Sequence, residues 1–247
     1  LLQADEMIKA VDFAGTDSGD TGEVQWSGSA VQDYLNRSGK SGFLYGFDSQ
    51  ELDAVKKSNT AEQKDLAAGE WTFTNPASSG DKVFLLSAAE VMKAEYGYGR
   101  DSARKMSSLT VSDGNGGTQT VSDWWLRSSV KDGEDQIAVV DKQGSLVAKD
   151  AYEQKADGGF EAAKAGLVPA LYLDASRVLF LTSSDQKKAD KILPVTSGQD
   201  SVWKMTLLSG TDTVNNSLKA ALTENDGSSL YEQGATVKIK HNYAKSR

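Results

Sequence analysis

The stretch SDWWLRSS, residues 122–129, constrains the fold more than any other part of the chain. On a β-strand successive side chains point to opposite faces, so Trp124 and Leu126 share one side while Trp125 and Arg127 share the other. Both faces must then be covered by something large, which describes a core strand. An exposed sugar-stacking platform would instead need one indole in solvent. Arg127 has two ordinary ways to be satisfied in such a place: over the face of Trp125 or against a buried carboxylate.

Elements around this strand are legible from capping and periodicity. KVFLLS, residues 82–87, is a short continuous apolar run, as expected of a strand buried on both faces. It leads into SAAEVMKAEYG, where Ser87 and Glu90 have the spacing of a capping box and Gly97 is placed to end a helix that turns Val91 and Met92 inward. DSQELDAVKK repeats the logic with Asp48 and Glu51, burying Leu52 and Val55, and SGSAVQDYLN carries Val31, Tyr34 and Leu35 at helical spacing. QIAVVDKQGSLVAKD has the pattern of a hairpin that turns at Gly144, and ALYLD and RVLFLT add strands between residues 170 and 182. The glycine-rich stretches at 113–117 and 156–166 are loops, and TNPAS, residues 74–78, is a turn built on Asn75 and Pro76.

Composition then removes whole classes of chemistry. With no cysteine there is no disulfide, thiolate nucleophile or cysteine-held metal. The single histidine, His241, lies six residues from the end in an expected strand, so a triad or histidine-rich metal site would have to be built around a terminal residue. Residues 1–182 carry 28 acidic and 18 basic side chains, net −10, and residues 183–247 carry 7 and 9, net +2. No clustered basic stripe exists for a phosphate backbone, and no apolar run is long enough to span a bilayer, so neither nucleic acid nor a membrane span is expected. Acidic loops at 16–23 and 131–136 could hold calcium, although neither has EF-hand spacing and solvated loops are the favoured reading; no metal site is assigned.

Four ordered blocks carry a family resemblance: WSGSAVQDYLN at 26–36, DKVFLLSAAEV at 81–91 with YGYG after it, WWLRS at 124–128, and GLVPALYLD at 166–174. Together they resemble an uncharacterised bacterial surface domain family with DKVFLLS, WWLRS and GVRPAL blocks, itself similar to the C-type-lectin-like and formylglycine-generating-enzyme-like fold. The resemblance covers residues 1–182. It implies an α+β domain, a twisted antiparallel sheet with flanking short helices and long loops, whose structural signature here is Trp26, Ser87, Glu90, Trp124, Trp125, Arg127 and Pro169. It also implies a secreted or cell-wall-attached bacterial protein. Two departures limit the transfer: Val168 stands where the family usually has arginine, and the reactive cysteines of formylglycine-generating enzymes are missing, so no oxidative chemistry carries over. The glutamate-proline-asparagine signature of calcium-dependent sugar-binding lectins is missing too.

Residues 183–247 hold a polar connection and two alternating runs, SVWKMTLLSG and GATVKIKHNY, expected to be a β-rich extension or the start of an immunoglobulin-like module. Because the chain opens at Leu1 without methionine and ends soon after a strand pattern, sequence is expected to continue beyond both ends. The function expected is a non-catalytic recognition module with no cofactor, binding a host or cell-wall protein or glycan through loops. Trp71, Tyr96, Tyr98 and Tyr152 are the candidate exposed aromatics, while Trp26 is expected to staple the helix it precedes. The alternatives are a spacer or stalk domain without its own ligand and a carboxylate-based hydrolase, which would need two converging acids.

Overall fold

A computed structural model describes residues 1–15, 24–112, 116–133, 135–154, 158–183 and 203–207. The chain divides into two compact units, one of residues 1–48 and 55–173, the other of residues 49–54 and 174–247. It is an α+β protein, rich in strand and with few, short helices.

In chain order the first half contains β1 (Leu2–Gln3), β2 (Lys9–Asp12), α1 (Ala30–Asn36), α2 (Ser49–Ala54), β3 (Val55–Lys56), β4 (Asn59–Thr60), β5 (Gln63–Ala68), β6 (Trp71–Asn75), β7 (Ser78–Ser79) and β8 (Val83–Phe84). There follow α3 (Asp101–Arg104), β9 (Leu109–Ser112), β10 (Thr118–Val121), β11 (Trp124–Ser129), β12 (Gln136–Val140), β13 (Leu146–Asp150), β14 (Tyr152–Gln154), β15 (Phe160–Ala162), β16 (Lys164–Leu167), β17 (Ala170–Leu173), β18 (Val178–Ser183) and β19 (Trp203–Leu207).

The larger unit is organised on a five-stranded sheet of order β13-β12-β11-β16-β2, in which β11 runs parallel to β16 and the other pairings are antiparallel. All six residues of β11 are buried, as the double-tryptophan pattern demands. Trp125 meets the ring of Phe13 edge-on at 5.5 Å and its indole Nε1 donates to the Val11 carbonyl at 2.8 Å. Trp124 donates to the Arg104 carbonyl at 3.1 Å. Each fully buried large apolar side chain contributes about 1.5–3 kcal/mol. The polar tips of the two indoles are therefore satisfied while their bodies fill the core.

The expected hairpin of β12 and β13 forms, with Val140 opposite Leu146, and Gly144 turns with φ +85°. A side chain there would put Cβ 1.9 Å from the Asp101 carbonyl oxygen, so glycine is required on two counts. Arg104, buried, ties the same corner by donating to the carbonyls of Gly144 and Tyr98.

A second sheet places β17 between β1 and β8, with β3 also paired to β17. KVFLLS keeps only Val83–Phe84 as ladder strand, yet Leu85 and Leu86 are buried as fully as the strand residues. Helix α1 begins as expected, Ser29 Oγ accepting from the Gln32 N–H, with Val31 and Leu35 buried and Tyr34 half-buried.

The stretch expected as a loop at 156–166 instead carries β15 and most of β16, and two helix expectations also need correction. Residues 87–97 form two 3-10 turns, Glu90–Met92 and Ala94–Tyr96, rather than one α-helix, and Met92 is exposed. The segment turns only Ala88 and Val91 inward, too short a run for a 3.6-residue stripe, and Lys93 breaks the turns with extended backbone. Gly97 does end the second turn, at φ +87°. In the smaller unit α2 follows Asp48 but stops at Ala54, so Val55 belongs to a strand and Leu52 is half-buried. The smaller unit also contains β18 paired antiparallel with β19. His241 and the GATVKIKHNY run lie outside the described residues.

Candidate functional site

Of the residues singled out in the sequence, Ser87, Glu90 and Arg127 meet in one buried polar centre. Beyond Trp125 strand β11 leaves the ladder with β12, and the Arg127 N–H donates instead to the Leu86 carbonyl at 3.0 Å. Arg127 is fully buried; its Nη1 donates to Glu90 Oε2 at 2.5 Å and to the Leu85 carbonyl at 2.7 Å, and its Nε to the Pro76 carbonyl at 3.0 Å. Of its two expected satisfactions, the buried carboxylate is the one used. The ring beneath the guanidinium is Phe84, at 5.8 Å, and not Trp125.

Glu90 is held from the other side by the capping box. Its Oε2 accepts from the Ser87 N–H at 2.8 Å, while Ser87 Oγ accepts from the Glu90 N–H at 3.2 Å. The box therefore orients a carboxylate for an arginine as well as starting a turn. Ser87→Ala is expected to cost about 1 kcal/mol, read as a lower urea midpoint with an unchanged slope.

Three further polar residues complete the centre, and the sequence reading passed over them. Asn75 Oδ1 accepts from the Ala89 N–H at 2.8 Å and from Ser128 Oγ at 3.1 Å, and Ser128 Oγ in turn accepts from the Ala88 N–H. Asp81 takes Trp26 Nε1 at 3.2 Å, Gln32 Nε2 and Ser78 Oγ. Trp26 is thus structural as expected, but anchored by this carboxylate; with Ser29 as the cap it stands too far upstream to act as a staple. The available signal was a polar residue inside an apolar run: Ser128 in a core strand, Asp81 directly before KVFLLS. The turn expected in TNPAS is not formed: Asn75 closes β6, β7 opens at Ser78, and residues 76–77 between them make neither turn nor bend.

The four aromatics proposed as contacts lie on separate elements. Trp71 is half-buried on β6, its ring 6.4 Å from Phe73. Tyr96 is half-buried beneath Lys93, whose Nζ lies 5.4 Å from the ring centroid. Tyr98 is buried, contrary to expectation, and its hydroxyl donates to Gln3 Oε1. Burial raises its pKa above the ordinary tyrosine range. Tyr152 is half-buried on β14, and burial followed by the charge of Asp135 raises its pKa as well. Pro169 is buried and accepts from the Ala4 N–H at 2.9 Å.

The acidic loop 16–23 lies outside the described residues, as does Glu134 of the second loop. Among the described residues no group of three or more His, Cys, Asp or Glu side chains is placed to share an ion. No helix among them is long and apolar enough to cross a membrane.

The surface feature that the sequence reading did not anticipate is an open groove of about 250 Å³, lined by Leu2, Gln3, Ala4, Ile8, Phe43, Pro169 and Leu171. Leu1, Leu2 and Ile8 are exposed beside it.

A family model described as a domain of unknown function, DUF6273, matches residues 1–175. The chain belongs to that family. The DUF6273 match takes in the five-stranded sheet, the buried polar centre and the groove. No curated protein and no solved structure matches the chain.

Proposed function

We propose that the DUF6273 domain of this chain is a non-catalytic recognition module of a secreted or cell-surface bacterial protein, with a lectin-like scaffold that binds a protein or glycan. The observation that carries this reading is the use made of its buried carboxylates. Glu90 is committed to Arg127 and the Ser87 amide, and Asp81 to Trp26, Gln32 and Ser78, so both serve to fix loops against the sheet. A general acid or nucleophile needs a carboxylate aimed at open space. The open groove is instead mostly apolar, which suits binding. An immunoglobulin-like continuation after residue 182 and a host or cell-wall partner belong to the same proposal, which needs no cofactor.

A glycan array probed with the 247-residue chain, in calcium and in chelator, separates its branches. Binding abolished by chelator is the outcome expected of calcium-assisted sugar recognition, and binding indifferent to chelator that of a metal-free lectin. Silence in both directs the reading to a protein partner. Reproducible turnover of any glycan, lost when one acidic residue is replaced, would refute the non-catalytic assignment.

A further inference from the structure

Building on that recognition reading, we infer that the groove beside β1 takes an extended peptide segment of a partner protein, apolar at alternate positions and followed by a basic residue. The backbone is the first ground. Strand β1 has β17 as its only strand partner among the described residues, and the Ala4 N–H donates to the Pro169 carbonyl. Hydrogen-bonded and non-bonded positions alternate along an antiparallel pair, so Gln3, one residue earlier, turns its own N–H and C=O away from β17. Those outward groups can accept another strand. Pro169, opposite Ala4, has no N–H to offer the Ala4 carbonyl.

The lining is the second ground. Leu2, Ala4, Ile8, Phe43, Pro169 and Leu171 make the walls, and Gln3 is the only polar member. Its Nε2 has no hydrogen-bond partner among the described residues. A sugar needs several directed polar groups, and small-molecule pockets typically enclose about 300–1,000 Å³. A groove of about 250 Å³ beside a free strand edge instead suits aliphatic side chains delivered by an extended backbone.

Charge fixes the third property of the occupant. Asp5 and Glu6 are exposed directly after β1, and neither forms an ion pair among the described residues. The nearest cation in sequence, Lys9, lies over the Tyr34 ring, its Nζ 4.8 Å from the centroid. A basic residue beyond the inserted apolar positions would meet this acidic pair and strengthen association at low salt.

The test is selection of a phage-displayed random peptide library on the full chain, followed by titration of the enriched peptides, made synthetically, against variants. Enrichment of alternating apolar sequences ending in Lys or Arg is expected. Their affinity should fall about tenfold or more on Ile8→Asp and on the double variant Asp5→Lys/Glu6→Lys. The replaced side chains are all exposed, so the fold is retained in both. Peptides that bind both variants as tightly as the parent overturn the groove assignment and leave the recognition reading standing. Failure to enrich any peptide while the glycan array gives signal also overturns it, in favour of a sugar partner. Failure of both screens removes the peptide site alone and leaves the recognition reading to a folded protein partner.

Discussion

Replacing Arg127 with methionine is expected to lower stability by about 3–5 kcal/mol, because it leaves the Glu90 carboxylate buried without its counter-charge. Arg127 is wholly enclosed and Glu90 is 2% exposed, so solvent cannot take over the lost interaction. The carbonyls of Pro76 and Leu85 lose their donors in the same step. Unfolding in urea followed by tryptophan fluorescence measures the change directly, since Trp124 and Trp125 lie in the same strand and are fully buried. A double variant, Glu90→Leu with Arg127→Met, should recover a large part of the loss, because removing both charges also removes the desolvation cost. A single-variant loss below about 1 kcal/mol would mean that the pair behaves as a solvent-screened surface bridge. Even in the parent the pair is incompletely satisfied, since Arg127 Nη2 has no hydrogen-bond partner among the described residues. That makes substantial recovery by the apolar double variant the sharper expectation.

What could be read from the chain was whatever local chemistry decides. The alternation in WWLRSS required two covered faces, and every residue of β11 is buried. Gly144 marked the hairpin turn, and Ser87 with Glu90 formed both bonds of the capping box. Failures came where a local signal had no tertiary partner to extend it. A capping box starts a turn, but only an apolar stripe prolongs a helix, and Met92 falls on the outside. The polar centre was half legible. A buried carboxylate for Arg127 was anticipated, yet its identity depended on residue 90 being folded back onto a strand 37 positions later, which no spacing reveals. Asn75 and Asp81 were missed for the same reason, their partners being distant in sequence. The groove was missed because it is made from three separated segments around residues 2–8, 43 and 169–171. The aromatic candidates illustrate the opposite error: Tyr98 looks like a loop residue, but Gln3 and the burial of its ring make it part of the packing.

Trp125→Ala is expected to cost about 3–5 kcal/mol, the range for removing a large aromatic side chain from a packed core. The indole is fully buried, packs edge-on against Phe13 and bonds the Val11 carbonyl, so its loss opens a cavity and orphans an acceptor on the edge strand β2, beyond β16 in the sheet. Trp71→Ala provides the contrast, because that ring is half-exposed on the β5–β6 hairpin and touches Phe73 alone among the described aromatic rings. Its substitution should move the thermal midpoint far less. If the two substitutions proved equally destabilising, Trp71 would have to be counted as core and removed from the surface available for binding. If Trp125→Ala were nearly silent, the double tryptophan would not be what holds the two sheet faces, and the central constraint drawn from it would fail. With the expected difference, the tryptophan pair is a packing signature, and recognition must be sought on surfaces that the core does not consume. The groove along β1 is such a surface, since Leu2 and Ile8 in its lining are exposed and outside the core that the tryptophan pair fills.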